Sequence, residues 1–300
     1  MLQVTNLVKK FDNHTALKGL NLNIKKGSIY GLIGVNGSGK TTAIKHIAGI
    51  YRQDAGTVTI NNQPVYDNAD LKAKIGYIPD ELFFFPSYNL HMMNRFYKNM
   101  YKTWNQGHYN KLVNLFQLNE NRRISHFSKG MQKQAAFALT LSIYPEMLLL
   151  DEPIDGLDPI VRKEVFRQII QDVADRGMTV LVSSHNLKEM DDICDAVGII
   201  KDGKMAIERE LDDLKSDVHK IQLAFAQNTD TSPLEELTIL HQETRGSVIL
   251  LVVRGKEDEI TTKIRSLSPL VYDHIPLTLE EIFTYENAPR STAGKGGTND

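Results

Sequence analysis

The run Gly34-Val35-Asn36-Gly37-Ser38-Gly39-Lys40-Thr41 has the spacing G-x-x-x-x-G-K-S/T. These residue types suit a polyphosphate. Glycines let the backbone curl so that successive amide N–H groups face an anion, and a helix beginning at Lys40 would add the positive end of its dipole. Lys40 can reach the β- and γ-phosphates, and the Thr41 hydroxyl can bind Mg²⁺. Thr42, one position on, is placed to touch the α-phosphate. A glycine-rich turn without a ligand is the plainer reading. The apolar run Ile29–Ile33 before the loop and the helix-compatible stretch Lys40–Ile50 after it favour the phosphate site.

A second constellation ends another apolar run. Met147-Leu148-Leu149-Leu150 leads into Asp151-Glu152. A run of this kind reads as a buried parallel strand, and acids at its C-terminal end stand where open α/β folds bind ligands. Asp151 can hold Mg²⁺ through its water shell. Glu152 can orient a water or take its proton, help worth about 10²–10⁴-fold in rate. A lone Asp-Glu pair is as readily an exposed turn; here it shares a chain with a phosphate loop.

The elements that must position these groups alternate. Leu2–Val8, Leu20–Ile24 and Ile29–Ile33 read as strands, with turn signals such as Lys26-Gly27 between them. Roughly residues 85–140 read as a helical insertion. There Leu90, Met93, Tyr97 and Tyr101 recur at helical steps, a second helix covers His108–Phe116, and a third covers Gly130–Ile143. The α/β pattern then resumes with strand Met147–Leu150, helix Val161–Asp175, strand Thr179–Ser183, a short helix Leu187–Asp192, and a hairpin turning at Asp202-Gly203. The alternation implies a largely parallel sheet covered by helices. A domain over residues 1–214 is followed by a small α+β domain over 215–286. In the latter, Thr278-Leu279-Glu280-Glu281 is a capping box opening the last helix. The tail from Asn287 lacks apolar anchors and is expected to be disordered.

Composition narrows the function classes. The chain has 300 residues, of which 35 are Lys or Arg and 37 Asp or Glu, a net charge of −2. That balance gives no reason to expect a nucleic-acid partner. Cys194 is the single cysteine, so neither an internal disulfide nor a cysteine-rich zinc site is expected. The opening residues hold no signal-peptide-like run, and no apolar run reaches about 18 residues. A membrane process would need its spans from another polypeptide.

Taken in order, the motifs resemble the ATP-binding cassette family. Phe127-Ser128-Lys129-Gly130-Met131-Gln132 looks like that family's signature sequence, Asp155-Gly156-Leu157-Asp158 like its D-loop, and His185 like its switch histidine. The resemblance spans residues 2 to about 210. It implies the P-loop ATPase fold of that family, a mixed sheet with a helical subdomain, and ATP with Mg²⁺ as cofactors. It also implies two nucleotide-binding chains paired head to tail, alike or different, with Ser128 and Gly130 of one contacting the γ-phosphate held by the other. His185 would meet the γ-phosphate in cis, and Phe11 would lie under the adenine where the family usually has tyrosine. Each has a plainer reading as well: Ser128 a helix N-cap, His185 a loop histidine, Phe11 part of the core.

Two departures stand out. Asp80, followed by Glu81, stands where the family's Q-loop has glutamine; a carboxylate can still bind Mg²⁺, directly or through water. Lys129 and Met131 replace a glycine and a glutamine of the signature. The Ser-Lys-Gly-Met form, with Pro276–Phe283 near the chain's end, is similar to ATPases of drug, antibiotic and peptide exporters. The expected function is therefore ATP hydrolysis driving an exporter from the cytoplasmic membrane face, through a separate permease subunit docked on the aromatic segment 83–104. Phe84, Phe85 and Tyr88 are its candidate surface residues. The alternatives are a soluble cassette ATPase acting on ribosomes or DNA, and a subunit that binds ATP without turnover. One cassette per chain, no heptads and no basic excess argue against the first; Lys40, Asp151, Glu152 and His185 argue against the second.

Overall fold

The computed structural model describes residues 1–226 and 229–287, and the chain divides into two compact units between Glu208 and Arg209. The expected disorder of the tail beyond Asn287 lies outside the described residues.

The first unit opens with β1 (Leu2–Phe11) and β2 (His14–Ile24), an antiparallel hairpin, and then β3 (Ile29–Ile33), whose residues are all buried. Full burial explains why β3 is a continuous apolar run rather than an alternating one. Helix α1 (Lys40–Ile47) follows the phosphate loop and ends three residues earlier than the sequence pattern suggests, where Gly49 takes a left-handed conformation. The chain then adds β4 (Ala55–Ile60), β5 (Gln63–Pro64), the short α2 (Ala69–Lys72) and β6 (Ile75–Ile78).

Three helices fill the next stretch: α3 (Leu90–Met100), α4 (Gln106–Leu115) and α5 (Lys129–Ser142). Each has a side-chain N-cap, from Asn89, Asn105 and Ser128 respectively. The unit closes with β7 (Met147–Asp151), α6 (Pro159–Arg176), β8 (Thr179–Ser184), β9 (Ala196–Lys201) and β10 (Lys204–Glu210). Asp202 and Gly203 both have positive φ, 49° and 75°, as a tight hairpin turn requires. The helix expected over Leu187–Asp192 is only a single 3₁₀ turn at Leu187–Glu189.

Two sheets result. The larger has the order β10-β9-β3-β8-β7-β6, with parallel pairing from β9 through β6. The smaller, β2-β1-β4-β5, is antiparallel. The expectation of one largely parallel sheet thus holds for the larger only. Ile44 and Ile47 of α1 pack in one core with Leu2, Leu17 and Ile60 of the small sheet and Leu32, Leu149 and Leu181 of the large one. In the large sheet, β3, β7 and β8 end together: Ile33 lies opposite Ser184, and Asp151 opposite Ser183. That shared edge is where the phosphate loop and the two acids emerge.

The second unit carries α7 (Leu211–Asp217), β11 (Val218–Ala224), β12 (Thr238–Arg245), β13 (Val248–Arg254), α8 (Glu257–Ser266), β14 (Val271–Ile275) and α9 (Leu279–Asn287). Its sheet, β12-β13-β11-β14, is antiparallel, and Ile260 and Ile264 of α8 pack on Ile221, Leu223, Leu251 and Val253. The capping box forms: the Thr278 amide donates to Glu281 Oε2 at 3.0 Å, and the Glu281 amide to Thr278 Oγ1 at 3.3 Å.

Burial of two histidines sets an acid limit on stability. His46 is enclosed, its Nδ1 donating to the Thr42 carbonyl at 2.7 Å, and burial holds its proton affinity below the ordinary histidine range. Burial does the same to His108, opposed by Asp172. Both bind protons more weakly folded than unfolded, so the stability they carry is present above about pH 6.5 and lost as pH falls through it. Thermal melts are expected to shift down between pH 7 and pH 5, and less so in His46→Gln. An identical pH slope in that variant would remove His46 from the account.

Candidate nucleotide site

The phosphate loop is shaped by close approach. A Cβ on Gly34 would stand 2.5 Å from Ser38 Oγ and 2.6 Å from the Ile200 carbonyl, and Gly39 has φ 113° against Leu17 and Ala16. Neither position accepts a side chain without displacement. Gly37 is also left-handed, φ 78°. No side chain caps the first turn of α1, so its amide N–H groups remain available to an anion. Ser38 Oγ is buried and has no hydrogen-bond partner among the described residues. Lys40 curls back, its Nζ donating to the Gly34 carbonyl at 2.7 Å.

Asp151 sits opposite the loop and is fully buried. Thr41 Oγ1 donates to its Oδ1 at 3.1 Å and Ser183 Oγ donates to the same oxygen at 2.8 Å, while Oδ2 is buried with no hydrogen-bond partner among the described residues. A buried carboxylate oxygen without a donor, beside a threonine hydroxyl, is a chemically suitable pair of ligands for a hard divalent cation.

Glu152 is held at four points. Its backbone is left-handed, φ 46°, a conformation that costs of order 1–3 kcal/mol for a residue of this type. Its amide donates to Ser183 Oγ at 3.0 Å, and its carbonyl accepts from Lys133 Nζ at 2.9 Å. One carboxylate oxygen is 3.1 Å from Lys40 Nζ, and the other is 3.0 Å from His185 Nδ1. Donor and acceptor atoms of Glu152, Asp155 and His185 fall within 4.8 Å of one another.

Asp80 follows β6 and stands exposed beside this group. Partial desolvation raises its carboxyl above the ordinary range; Lys133 opposes that, and Asp151, Asp155 and Glu152 add to it. Phe11, at the end of β1, is exposed rather than part of the core. Its ring meets Tyr51 edge-on at 5.6 Å, with Lys9 Nζ 5.4 Å from its centre. The structure therefore brings Lys40, Thr41, Asp151, Glu152 and His185 into direct contact and places Asp80 within electrostatic reach.

Ser128 and Gly130 belong elsewhere. Ser128 is exposed and caps α5, its Oγ accepting from the Met131 amide at 3.2 Å. The plainer reading of Ser128 is thus correct as far as it goes, yet the hydroxyl keeps its own proton to donate outward. Gly130 abuts the D-loop, since a Cβ there would lie 3.0 Å from the Gly156 carbonyl. Asp158 caps α6 by accepting from the Ile160 and Val161 amides, both at 3.0 Å.

Sequence reasoning missed Ser183, Lys133 and Tyr51. Ser183 ends a strand already recognised, but its contact with Asp151 depends on register between β7 and β8. Lys133 had one signal, a lysine just ahead of the apolar stretch of α5. Tyr51 gave none.

Comparison with known proteins agrees with this geometry. Residues 17–155 match the family model described as ABC transporter. The chain is 30% identical over 283 residues to the ABC transporter ATP-binding protein YtrB of Bacillus subtilis, covering 94% of this chain and 97% of that one. It is 34% identical over 214 residues to the lantibiotic transport ATP-binding protein SrtF of Streptococcus pyogenes, covering 71% of this chain and 92% of that one. A solved ATP-binding subunit of an ABC transporter superposes with a TM-score of 0.67 at 26% identity, covering 72% of this chain and 92% of that one. The phosphate loop, the acids at the end of β7 and these likenesses together establish that the chain belongs to the ABC transporter family, as one of its ATP-binding, ATP-hydrolysing subunits.

Proposed function

We propose that this subunit drives an exporter, and that its Glu152 activates the attacking water. The observation that supports the second part is the fixing of Glu152 in a left-handed backbone between Lys40 and His185. ATP seats on Gly34, Asn36, Gly37, Ser38, Gly39, Lys40, Thr41 and Thr42, with Phe11 as platform for the adenine. Lys40 exchanges Glu152 and the Gly34 carbonyl for the β- and γ-phosphates. That exchange frees one carboxylate oxygen of Glu152 to take a proton from water, while His185 keeps the other oriented and faces the γ-phosphate. Thr41 and Asp151 would hold Mg²⁺, with Asp80 facing it. The cation, when bound, neutralises charge on the phosphate oxygens.

Ser128 and Gly130 complete the site of a second ATP-binding chain. Ser128 donates its hydroxyl proton to that chain's γ-phosphate, and the N-terminus of α5 adds its dipole. Closure of two chains around two nucleotides is the step that moves cargo.

Among the described residues no helix is long and apolar enough to cross a membrane. In this reading an integral-membrane permease supplies the path, and the chain binds peripherally at the cytoplasmic face. The lantibiotic-transport relative and the Ser-Lys-Gly-Met signature support export. The docking surface is the aromatic segment after β6: Phe83 is 79% exposed and Phe85 39%, and Phe85 packs on Tyr88 and Phe96. Phe83, outside the trio singled out from sequence, is the most exposed of these rings. The tagged chain is expected to co-purify with a polytopic membrane protein from detergent-solubilised membranes. Phe83→Ser with Phe85→Ser should abolish that while keeping ATP binding. Co-purification with ribosomes or DNA, and with no membrane protein, would overturn the transport reading.

A further inference from the structure

Two lysines bracket Glu152, and they do so differently. Lys40 touches its carboxylate, whereas Lys133, on α5, touches its backbone. Lys133 is only 7% exposed, and its Nζ donates to the Glu152 carbonyl at 2.9 Å. Burying an ammonium is costly unless it is bonded and neutralised. One carbonyl does not neutralise it. The charges that do are Asp80, Asp155 and Glu152, of which Asp80 acts most strongly; they oppose the loss of proton affinity that burial imposes.

The arrangement has a consequence during turnover, if Glu152 acts on water as proposed above. When Lys40 turns to the phosphates, Glu152 loses its side-chain cation. Lys133 remains, because its bond is to the main chain.

We propose that Lys133 is a positioning residue that fixes the left-handed backbone of Glu152 through its carbonyl. Lys133 acts on the reaction only through Glu152.

The test compares Lys133→Met and Lys133→Arg in the full chain, read as kcat and KM for ATP and as melting temperature. Lys133→Met is expected to lose about tenfold in kcat with KM within about twofold of the parent, and Lys133→Arg, which can still donate to the Glu152 carbonyl, to stay near the parent. Parent-like kcat in Lys133→Met, or Lys133→Arg as inactive as Lys133→Met with an unchanged melting temperature, would overturn the positioning role. Should Glu152→Gln retain hydrolysis, it is the role of Glu152 that fails; loss of turnover in Glu152→Gln with parent-like kcat in Lys133→Met fails the positioning alone.

Discussion

Glu152→Gln is expected to bind ATP at least as tightly as the parent and to lose turnover by about 10²–10⁴-fold. Glutamine keeps the shape of the side chain and cannot take a proton. The backbone of residue 152 stays pinned, because its amide and carbonyl are held by Ser183 and Lys133 rather than by its own side chain. Lys40 loses its ion pair but keeps the Gly34 carbonyl at 2.7 Å, so the phosphate loop stays formed. Removing one negative charge beside the loop favours an anionic ligand. A variant that closes on ATP and cannot hydrolyse it should accumulate as a dimer, visible by gel filtration with ATP and Mg²⁺. Unchanged hydrolysis would remove Glu152 from the chemistry.

Ser128→Arg is expected to abolish hydrolysis while ATP binding to the isolated chain stays within about twofold. Ser128 is exposed and hydrogen-bonds within α5, so an arginine there reaches outward and need not disturb Gly34–Thr41 of its own chain. Losing the N-cap costs about 0.5–2 kcal/mol of stability, a shift in melting temperature rather than unfolding. Against a partner's triphosphate, the larger side chain would occupy the space the γ-phosphate needs. Loss of ATP binding by the isolated chain would show instead that Ser128 serves its own loop.

How much of this was written locally in the chain differs from part to part. The phosphate loop was legible because its glycines, lysine and threonine are consecutive and each has a local reason. The strand ending in Asp151-Glu152 was legible from four apolar residues followed by two acids. The capping box at Thr278–Glu281 formed as its spacing implied. What was hidden depends on pairing between distant segments. Ala55–Ile60 carries a strand signal in its alternating, β-branched Thr57-Val58-Thr59-Ile60, but not its place: β4 pairs along β1, with Val4 opposite Val58. Ser183 could not be connected with Asp151 before the register of β7 and β8 was known. Lys133 looks like a surface lysine on a helix until α5 is placed against the end of β7. The overlong helix at Leu187–Asp192 failed for a related reason. A single turn sufficed there, because Met190 and Cys194 are buried against Gly31 of β3.

The central claim is that each working site is built from the phosphate loop of one chain and Ser128 and Gly130 of another. Mixing two inactive variants tests it most directly. Lys40→Ala damages only the loop and Ser128→Arg only the contact made in trans. In a mixed dimer, the intact loop of the Ser128→Arg chain faces the intact Ser128 of the Lys40→Ala chain. Each variant alone should be inactive, and an equimolar mixture should recover ATPase activity, up to about a quarter of the parent if chains pair at random and one site suffices. Activity in the mixture no greater than the sum of the separate variants would contradict the shared site.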